Sequence, residues 1–359
     1  MKIGIHAKAA FKYERTGIEE YVYQVIKHLA MLDESKQHSF ALYTSYFSKN
    51  SFFLPGHFKV EKLYAPFLGM ETRLSLKMFF SPPDVLFMPA NFLPAIYPRN
   101  NVVTIHGLEF EYYPEAYASD HLRYLKTHTA RAVAKAKTII ATSASTKKDL
   151  IKFYNADPQK IRIIHHGVNS QIAYHHKYPP IDEKYILFIG RLEKKKNVAN
   201  IVRSFGVLKE KYKIPHKLVL VGRPGFGFDE IGRAIDESRY KQDIVQTGYI
   251  SHEEKESFFK HADVFVFPSF YQGFGMPILE SQLRQVPLVT SNISSMAEVA
   301  GDGALHVDPH SIEEITEATY RIISDKNLRK QLVEKGLENV RQYSWFRCAK
   351  ETLDVLTSQ

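Results

Sequence analysis

The chain lacks most of what would make it a secreted scaffold, a membrane span or a metal site. Its 359 residues contain one cysteine, Cys348, so no intrachain disulfide and no cysteine-based zinc site can form. No apolar run approaches the ~20 residues needed to cross a bilayer. Met1-Lys2-Ile3-Gly4-Ile5 enters a strand directly instead of a signal peptide. The expected setting is therefore the cytoplasm. No G-x-G-x-x-G follows the first strand, which weakens a nicotinamide-binding reading. Histidine is plentiful, 16 in all. However, His165-His166 and His175-His176 have neither helical ligand spacing nor neighbouring carboxylates, so they read as surface or turn residues and no metal site is expected.

Acidic charge is also in short supply, and unevenly so. The whole chain carries +9, but residues 1–170 hold 22 Lys/Arg against 14 Asp/Glu, while the remainder holds 26 against 25. The first half thus carries nearly all the excess. A basic surface of this kind attracts anionic lipid headgroups, acidic glycans or nucleic acid. With no nucleic-acid module in view, a membrane surface or a phosphorylated acceptor is the expected partner.

What is present describes an α/β protein of two domains. The length exceeds what one core usually supports, and a mean hydropathy of −0.27 with 44% hydrophobic residues suits a globular chain. Short apolar runs at 1–6, 84–88, 102–105, 138–143 and 161–164 read as buried parallel strands. A second series opens at 185–190 and continues through 218–222, 243–247, 264–267 and 287–290. Between the two series, His175 to Pro180 is polar with paired prolines, which places a boundary near residue 172. Domains of 1–172 and 173–344 follow, with a last helix over about 345–359. Residues 40–80 are rich in aromatics, with Lys and Arg interleaved. Most of these rings are expected in the core and some in an interfacial patch.

The most informative stretch runs from Asp263 to Val286. Val264–Phe267 is a buried strand closed by Pro268. A loop to Met276 follows, with Gly273 and Gly275 flanking Phe274, and then Pro277 at the start of a helix. A strand–glycine loop–helix unit turns backbone N–H groups toward whatever lies beyond the strand's carboxyl end, which suits a phosphate. Glu280 is expected in the first turn of that helix, placed to accept ribose hydroxyls, and Gln272 stands at the other end of the loop. A second basic loop, Gly190-Arg191-Leu192-Glu193-Lys194-Lys195-Lys196-Asn197, follows the strand at 185–190. Phosphate recognition needs a fixed fork and a mobile point charge, which Arg191 and Lys196 can supply.

Gln272-x7-Glu280 around GFGMP resembles the E-x7-E signature of retaining glycosyltransferases of family 4, and G-R-L-x-x-x-K-N is similar to that family's phosphate-facing loop. The resemblance implies the GT-B fold, two Rossmann-like domains facing each other across a cleft, with the final helix returning to the N-terminal domain. It implies a nucleotide-diphosphate sugar bound by the C-terminal domain and a sugar or lipid-linked glycan acceptor on the N-terminal one. Transfer would proceed with retention and without a metal or other cofactor, in cell-surface polysaccharide or lipopolysaccharide synthesis. Mannose is the sugar it suggests. Arg191, Lys196, His106 and Gln272 would then be catalytic. Gly17, Gly190, Ile250, Gly273, Phe274, Gly275, Met276 and Glu280 would bind the donor. The absence of any D-x-D argues against the other major transferase fold. Two departures stand out: an amide at Gln272 where the family has a carboxylate, and Gly107 where it commonly has an aspartate. A sugar-nucleotide epimerase of the same fold, or a catalytically weak sugar-nucleotide-binding protein, is the alternative.

Overall fold

A computed structural model describes residues 1–13, 15, 17–45, 54–64, 69–169 and 181–359. It divides into two compact units, Met1–Gly167 with Ser344–Gln359, and Val168–Tyr343. The linker segment 175–180, with His175 and His176, lies outside the described residues.

Unit 1 is built on a seven-stranded sheet: β1 (Lys2–His6), β2 (Ser39–Ser45), β3 (Phe58–Leu63), β4 (Val85–Met88), β5 (Asn101–Ile105), β6 (Thr138–Ala141) and β7 (Ile161–Ile163). All pairings are parallel, in the order β3-β2-β1-β4-β5-β6-β7. Unit 2 holds a six-stranded sheet: β8 (Tyr185–Ile189), β9 (Lys217–Val221), β10 (Ile244–Gly248), β11 (Val264–Phe267), β12 (Leu288–Ser291) and β13 (Ala304–Val307). Its parallel order is β10-β9-β8-β11-β12-β13. Central strands such as VLFM and VFVF are buried at every position, as sheets covered on both faces require. In each sheet the order reverses beside the first strand, between β1 and β4 and between β8 and β11. Doubly wound sheets open a ligand crevice beyond the carboxyl ends of the strands at such a point.

The last helix, Trp345–Thr357, belongs to unit 1. Its Trp345 is buried and stacks 5.8 Å from His166, with Tyr21 of helix Gly17–Leu29 at 6.3 Å. A Cβ on Gly167 would overlap the backbone nitrogen of Trp345, so only glycine admits this approach. His166, expected at the surface, is therefore buried; the returning helix supplies the cover that local sequence does not reveal.

The aromatic stretch divides. Phe40, Tyr43 and Phe58 are core residues on β2 and β3, whereas Tyr64, Phe79 and Phe80 are exposed; Tyr46, Phe47, Phe52, Phe53 and Phe67 lie outside the described residues. The polar alternation of β3 (FKVEKL) fits an edge strand and hides it from a search for apolar runs. β13 (ALHV) is equally inconspicuous. Among the described residues no helix is long and apolar enough to cross a membrane.

Candidate active site

In unit 2 the loop after β11 is shaped by serines. Ser291 Oγ donates to the Ser269 carbonyl at 2.6 Å, Ser294 Oγ to the Gln272 carbonyl at 2.7 Å, and Ser295 Oγ to the carbonyls of Gln272 and Phe274, both at 2.8 Å. In a trans peptide the N–H points opposite to the preceding carbonyl. The N–H groups of Gly273 and Gly275 therefore point away from the serines. Gly275 has φ 102°, and a side chain there would press on Ile278 at 3.1 Å. The helix then runs Met276–Leu283, with Gly275 at its N-cap. Glu280, expected in the first turn, is its fifth residue and lies in the second, because the helix starts at Met276. Phe274 is 4% exposed and packs in the core against Tyr343, so it offers a ligand its backbone alone. Gln272 donates its amide to Ser269 Oγ at 3.1 Å, leaving its carbonyl oxygen as an acceptor.

The loop after β8 lies on the same carboxyl edge. Gly190 closes β8, and a Cβ on Gly222 after β9 would overlap the Gly190 carbonyl. Arg191 is exposed and its Nε lies 3.3 Å from Glu193, which also takes Lys195 at 3.5 Å. Lys196 Nζ sits 5.5 Å above the Phe267 ring, at the end of β11. Asn197 is buried in a left-handed conformation and its amide donates to the carbonyls of Pro268 at 2.9 Å and Pro309 at 2.6 Å. Phe270 N–H adds a bond to the Lys195 carbonyl at 2.9 Å. The two loops are thereby fastened to each other. After β10, Ile250 packs on the core, and Ser251 caps helix His252–His261 in a reciprocal box with Glu254. That helix contributes Lys255, whose Nζ donates to Glu280 Oε1 at 2.7 Å with both side chains mostly buried.

Gly190, Arg191, Lys196, Ile250, Gln272, Gly273, Gly275, Met276 and Glu280 thus belong to one edge of one sheet. Lys255 escapes a sequence reading because its role is to pair with Glu280 from a separate helix, and Glu193 because its partners Arg191 and Lys195 are chosen only when the loop folds. Asn197 is visible in the motif, but its bridging task is not.

His106 and Gly17 belong to unit 1. Gly17 opens helix Gly17–Leu29. His106 follows β5, and its Nε2 lies 2.9 Å from the Pro89 carbonyl. A carbonyl only accepts, so Nε2 carries the proton. Burial pushes the ring's pKa down to about 4, which makes it neutral at pH 7 and a poor proton carrier. A cavity of about 340 Å³ opens beside it, partly walled by His121, Tyr124, Leu125 and His128 of helix Ser119–Lys135. Their i, i+3, i+4, i+7 spacing makes this one helix face. Among the described residues no group of three or more His, Cys, Asp or Glu is placed to hold a metal ion.

Two sheets with this order, each with its functional edge at a switch point, define a GT-B-type α/β architecture. The model described as Glycosyltransferase Family 4 matches residues 15–172, and the model described as Glycosyl transferases group 1 matches residues 172–339. Together they span both units, and the chain belongs to glycosyltransferase family 4. It is 27% identical over 280 residues to the O-antigen chain mannosyltransferase B of Escherichia coli, covering 76% of this chain and 74% of that protein. Sucrose-phosphate synthase from Thermosynechococcus elongatus shares the fold with a TM-score of 0.76 at 18% identity, over 100% of this chain and 98% of that one. HepE of Anabaena, solved in complex with UDP-glucose, has a TM-score of 0.72 at 14% identity, over 100% of both chains.

The buried histidines of unit 1 give its stability a pH dependence. Burial, aided by Lys8, lowers His6 from 6.5 to about 4, as burial alone lowers His106, and His166 shifts the same way through burial. Unfolded, the His6 and His106 rings bind a proton near 6.5 that the folded rings refuse until near 4, and His166 acts in the same direction. The stabilisation is complete above pH 6.5 and is lost as pH falls toward 4, by about 1.4 kcal/mol per pH unit per ring. Urea unfolding of unit 1 should show its midpoint falling between pH 7 and 5, with a shallower slope for His6→Gln. A midpoint that stays level over that range would contradict the buried, neutral assignment.

Proposed function

We propose that the chain moves a hexose, with retention of configuration, from a nucleoside-diphosphate donor held on unit 2 to a glycan or lipid-linked acceptor held on unit 1. Mannose is the proposed sugar and polysaccharide or lipopolysaccharide assembly the proposed setting, in keeping with the E. coli relative. The observation that carries the reading is the fastening of the Arg191–Lys196 loop to the glycine loop through Asn197. Two cations and a run of turned N–H groups then share one edge with the Glu280 carboxylate. Glu280, held by Lys255, is the ribose acceptor. Arg191 and Lys196 oppose the charge that grows on the departing diphosphate, and no metal is needed for that task. The matched families are transferases and lend no support to an epimerase or to a binding protein without activity.

In this mechanism the leaving diphosphate takes the acceptor's proton, and the enzyme forms no covalent bond to the sugar. His106, neutral and donating to Pro89, positions rather than titrates. Gln272 orients a donor hydroxyl through its free carbonyl oxygen. A carboxylate in its place could be served equally by Ser269, whose hydroxyl would turn round to donate.

The lipid-facing part of the reading rests on helix Met70–Phe80. Leu76, Phe79 and Phe80, at i, i+3 and i+4, are 43%, 65% and 78% exposed on the face opposite buried Leu74 and Met78. Lys59 and Lys62 on β3 are exposed as well. An apolar ridge beside cations suits an anionic headgroup layer.

Arg191→Ala and Lys196→Ala should each lower turnover at saturating donor more than they weaken donor binding, and chelator should leave the wild-type rate unchanged. Gln272→Ala should be slower by at least tenfold, about 1.4 kcal/mol of barrier, with Gln272→Glu active. Full rates in all three alanine variants, on the true donor and acceptor, would sink the mechanism. For the lipid surface, flotation with anionic vesicles at low salt is the measurement. Binding should fall steeply with added salt and with Phe79→Ser/Phe80→Ser, and no flotation of the wild type at low salt would remove the membrane from the account.

A further inference from the structure

Among the described residues, five other than glycine hold a positive φ. Four of them, Asn155, Asn197, Lys213 and Gln285, close a helix or a helical turn, where a left-handed residue is a common ending. Ser294, at φ 58°, closes none. It stands in the turn between β12 and helix Met296–Ala300. For a residue with a Cβ that conformation is strained, and glycine would hold it without strain. Strain of this kind persists where the surrounding structure enforces it, most often beside a functional group.

The hydroxyl shows why a serine stands there. Ser294 Oγ accepts the backbone N–H of Gln272 at 3.3 Å and donates to the carbonyl of the same residue at 2.7 Å. These two bonds hold the two peptide planes that meet at the Gln272 Cα, and a peptide plane has no soft rotation of its own. Both backbone torsions of Gln272 are thereby set, and with them the direction in which its side chain leaves the chain. The carbonyl has a second partner in Ser295 Oγ at 2.8 Å. Among the described residues, the N–H has Ser294 alone. Beyond the backbone, Gln272 Nε2 donates to Ser269 Oγ at 3.1 Å, and Ser269 is buried with its carbonyl taking Ser291 Oγ at 2.6 Å. Gln272 is thus held at both ends.

We infer that Ser294 is a positioning residue, a strained serine whose hydroxyl sets Gln272 for the sugar of the donor. This rests on the transferase reading, in which Gln272 orients a donor hydroxyl. Hydrogen bonds weaken steeply with misalignment, so a turn of the Gln272 backbone is enough to lose that contact. Glu280 is held separately by Lys255, and the Arg191–Lys196 loop by Asn197. The effect of Ser294 therefore falls on the sugar end of the donor and not on the nucleotide.

Three variants of the full chain separate the hydroxyl from the strain. Ser294→Gly removes both, and Ser294→Ala removes the hydroxyl alone. Ser294→Thr keeps the hydroxyl on a β-branched residue, the kind that tolerates a positive φ least. Without ligand, hydrogen exchange at the Gln272 amide should quicken about tenfold in Ser294→Gly and Ser294→Ala but not in Ser294→Thr. Stability should run differently: Ser294→Thr should have a lower unfolding midpoint than the wild type, and Ser294→Gly a higher one than Ser294→Ala. Calorimetry with UDP-glucose and GDP-mannose, each against its free nucleotide, then reads the sugar's share as a ratio of affinities. That ratio should fall about fivefold, the order of one hydrogen bond, in Ser294→Gly and Ser294→Ala, and recover in Ser294→Thr. A general loosening of the fold would weaken both ligands and leave the ratio alone. Unchanged amide exchange in Ser294→Gly overturns the clamp, whatever the ligand. An unchanged ratio in that variant, or a loss in Ser294→Thr as large as in Ser294→Gly, overturns the positioning role. Faster exchange as expected, with neither sugar nucleotide bound by the wild type, removes the donor reading and the role in sugar placement with it, while the clamp stands.

Discussion

One buried amide holds the chemistry of unit 2 in place. Asn197 adopts a left-handed backbone conformation at the end of the basic loop and sends its side-chain N–H groups to carbonyls of two other loops, at Pro268 and Pro309. Asparagine is among the few residues that tolerate this conformation, and it alone of these also brings two side-chain donors. Removing it would take the side-chain donor from the buried Pro268 carbonyl, at a cost of about 1–3 kcal/mol, and leave Pro309 with only the long contact from Asn200 at 3.4 Å. Arg191 and Lys196 would then lose their register against the glycine loop. The serines of β12 and the turn beyond it complete the arrangement by occupying the loop's carbonyls, which turns the opposite N–H edges outward.

The two units repeat one strand order and use it differently. Unit 2 collects cations, backbone N–H groups and one clamped carboxylate at its carboxyl edge. Unit 1 collects aromatic rings and imidazoles around a cavity, with no Lys or Arg among the described residues that line it. Net charge by domain is therefore a poor guide to the charge of a site. The depressed pKa values of His6 and His106 follow from the same burial that makes the cavity wall apolar.

Much of this is legible in the amino-acid sequence. Continuous apolar runs mark β1, β4, β5, β6 and the central strands of unit 2, because parallel strands covered on both faces have no polar side to interrupt them. The glycine loop and the G-R-L-x-x-x-K-N loop announce themselves through residue types that few other structures need. The edges were not legible. β3 alternates charge with apolar residues, and β13 is four residues with one histidine. His166 could be placed only by knowing that a helix 179 residues later covers it through Trp345. Pairings such as Lys255 with Glu280 join side chains from separate helices, and no spacing in the chain encodes them. The cavity wall, in which His121, Tyr124, Leu125 and His128 share one helical face, is likewise a property of the folded state.

The central claim is that the carboxyl edge of unit 2 holds a nucleoside diphosphate through the glycine loop and Glu280. Calorimetric titration of nucleoside diphosphates into the wild type and into Glu280→Ala tests it most directly. The account predicts that one of them binds the wild type, and that the variant binds it about 2–3 kcal/mol more weakly, the scale of a lost charge-assisted hydrogen bond, while its unfolding transition stays cooperative. Equal affinity in the two proteins, or no binding by the wild type, would contradict it.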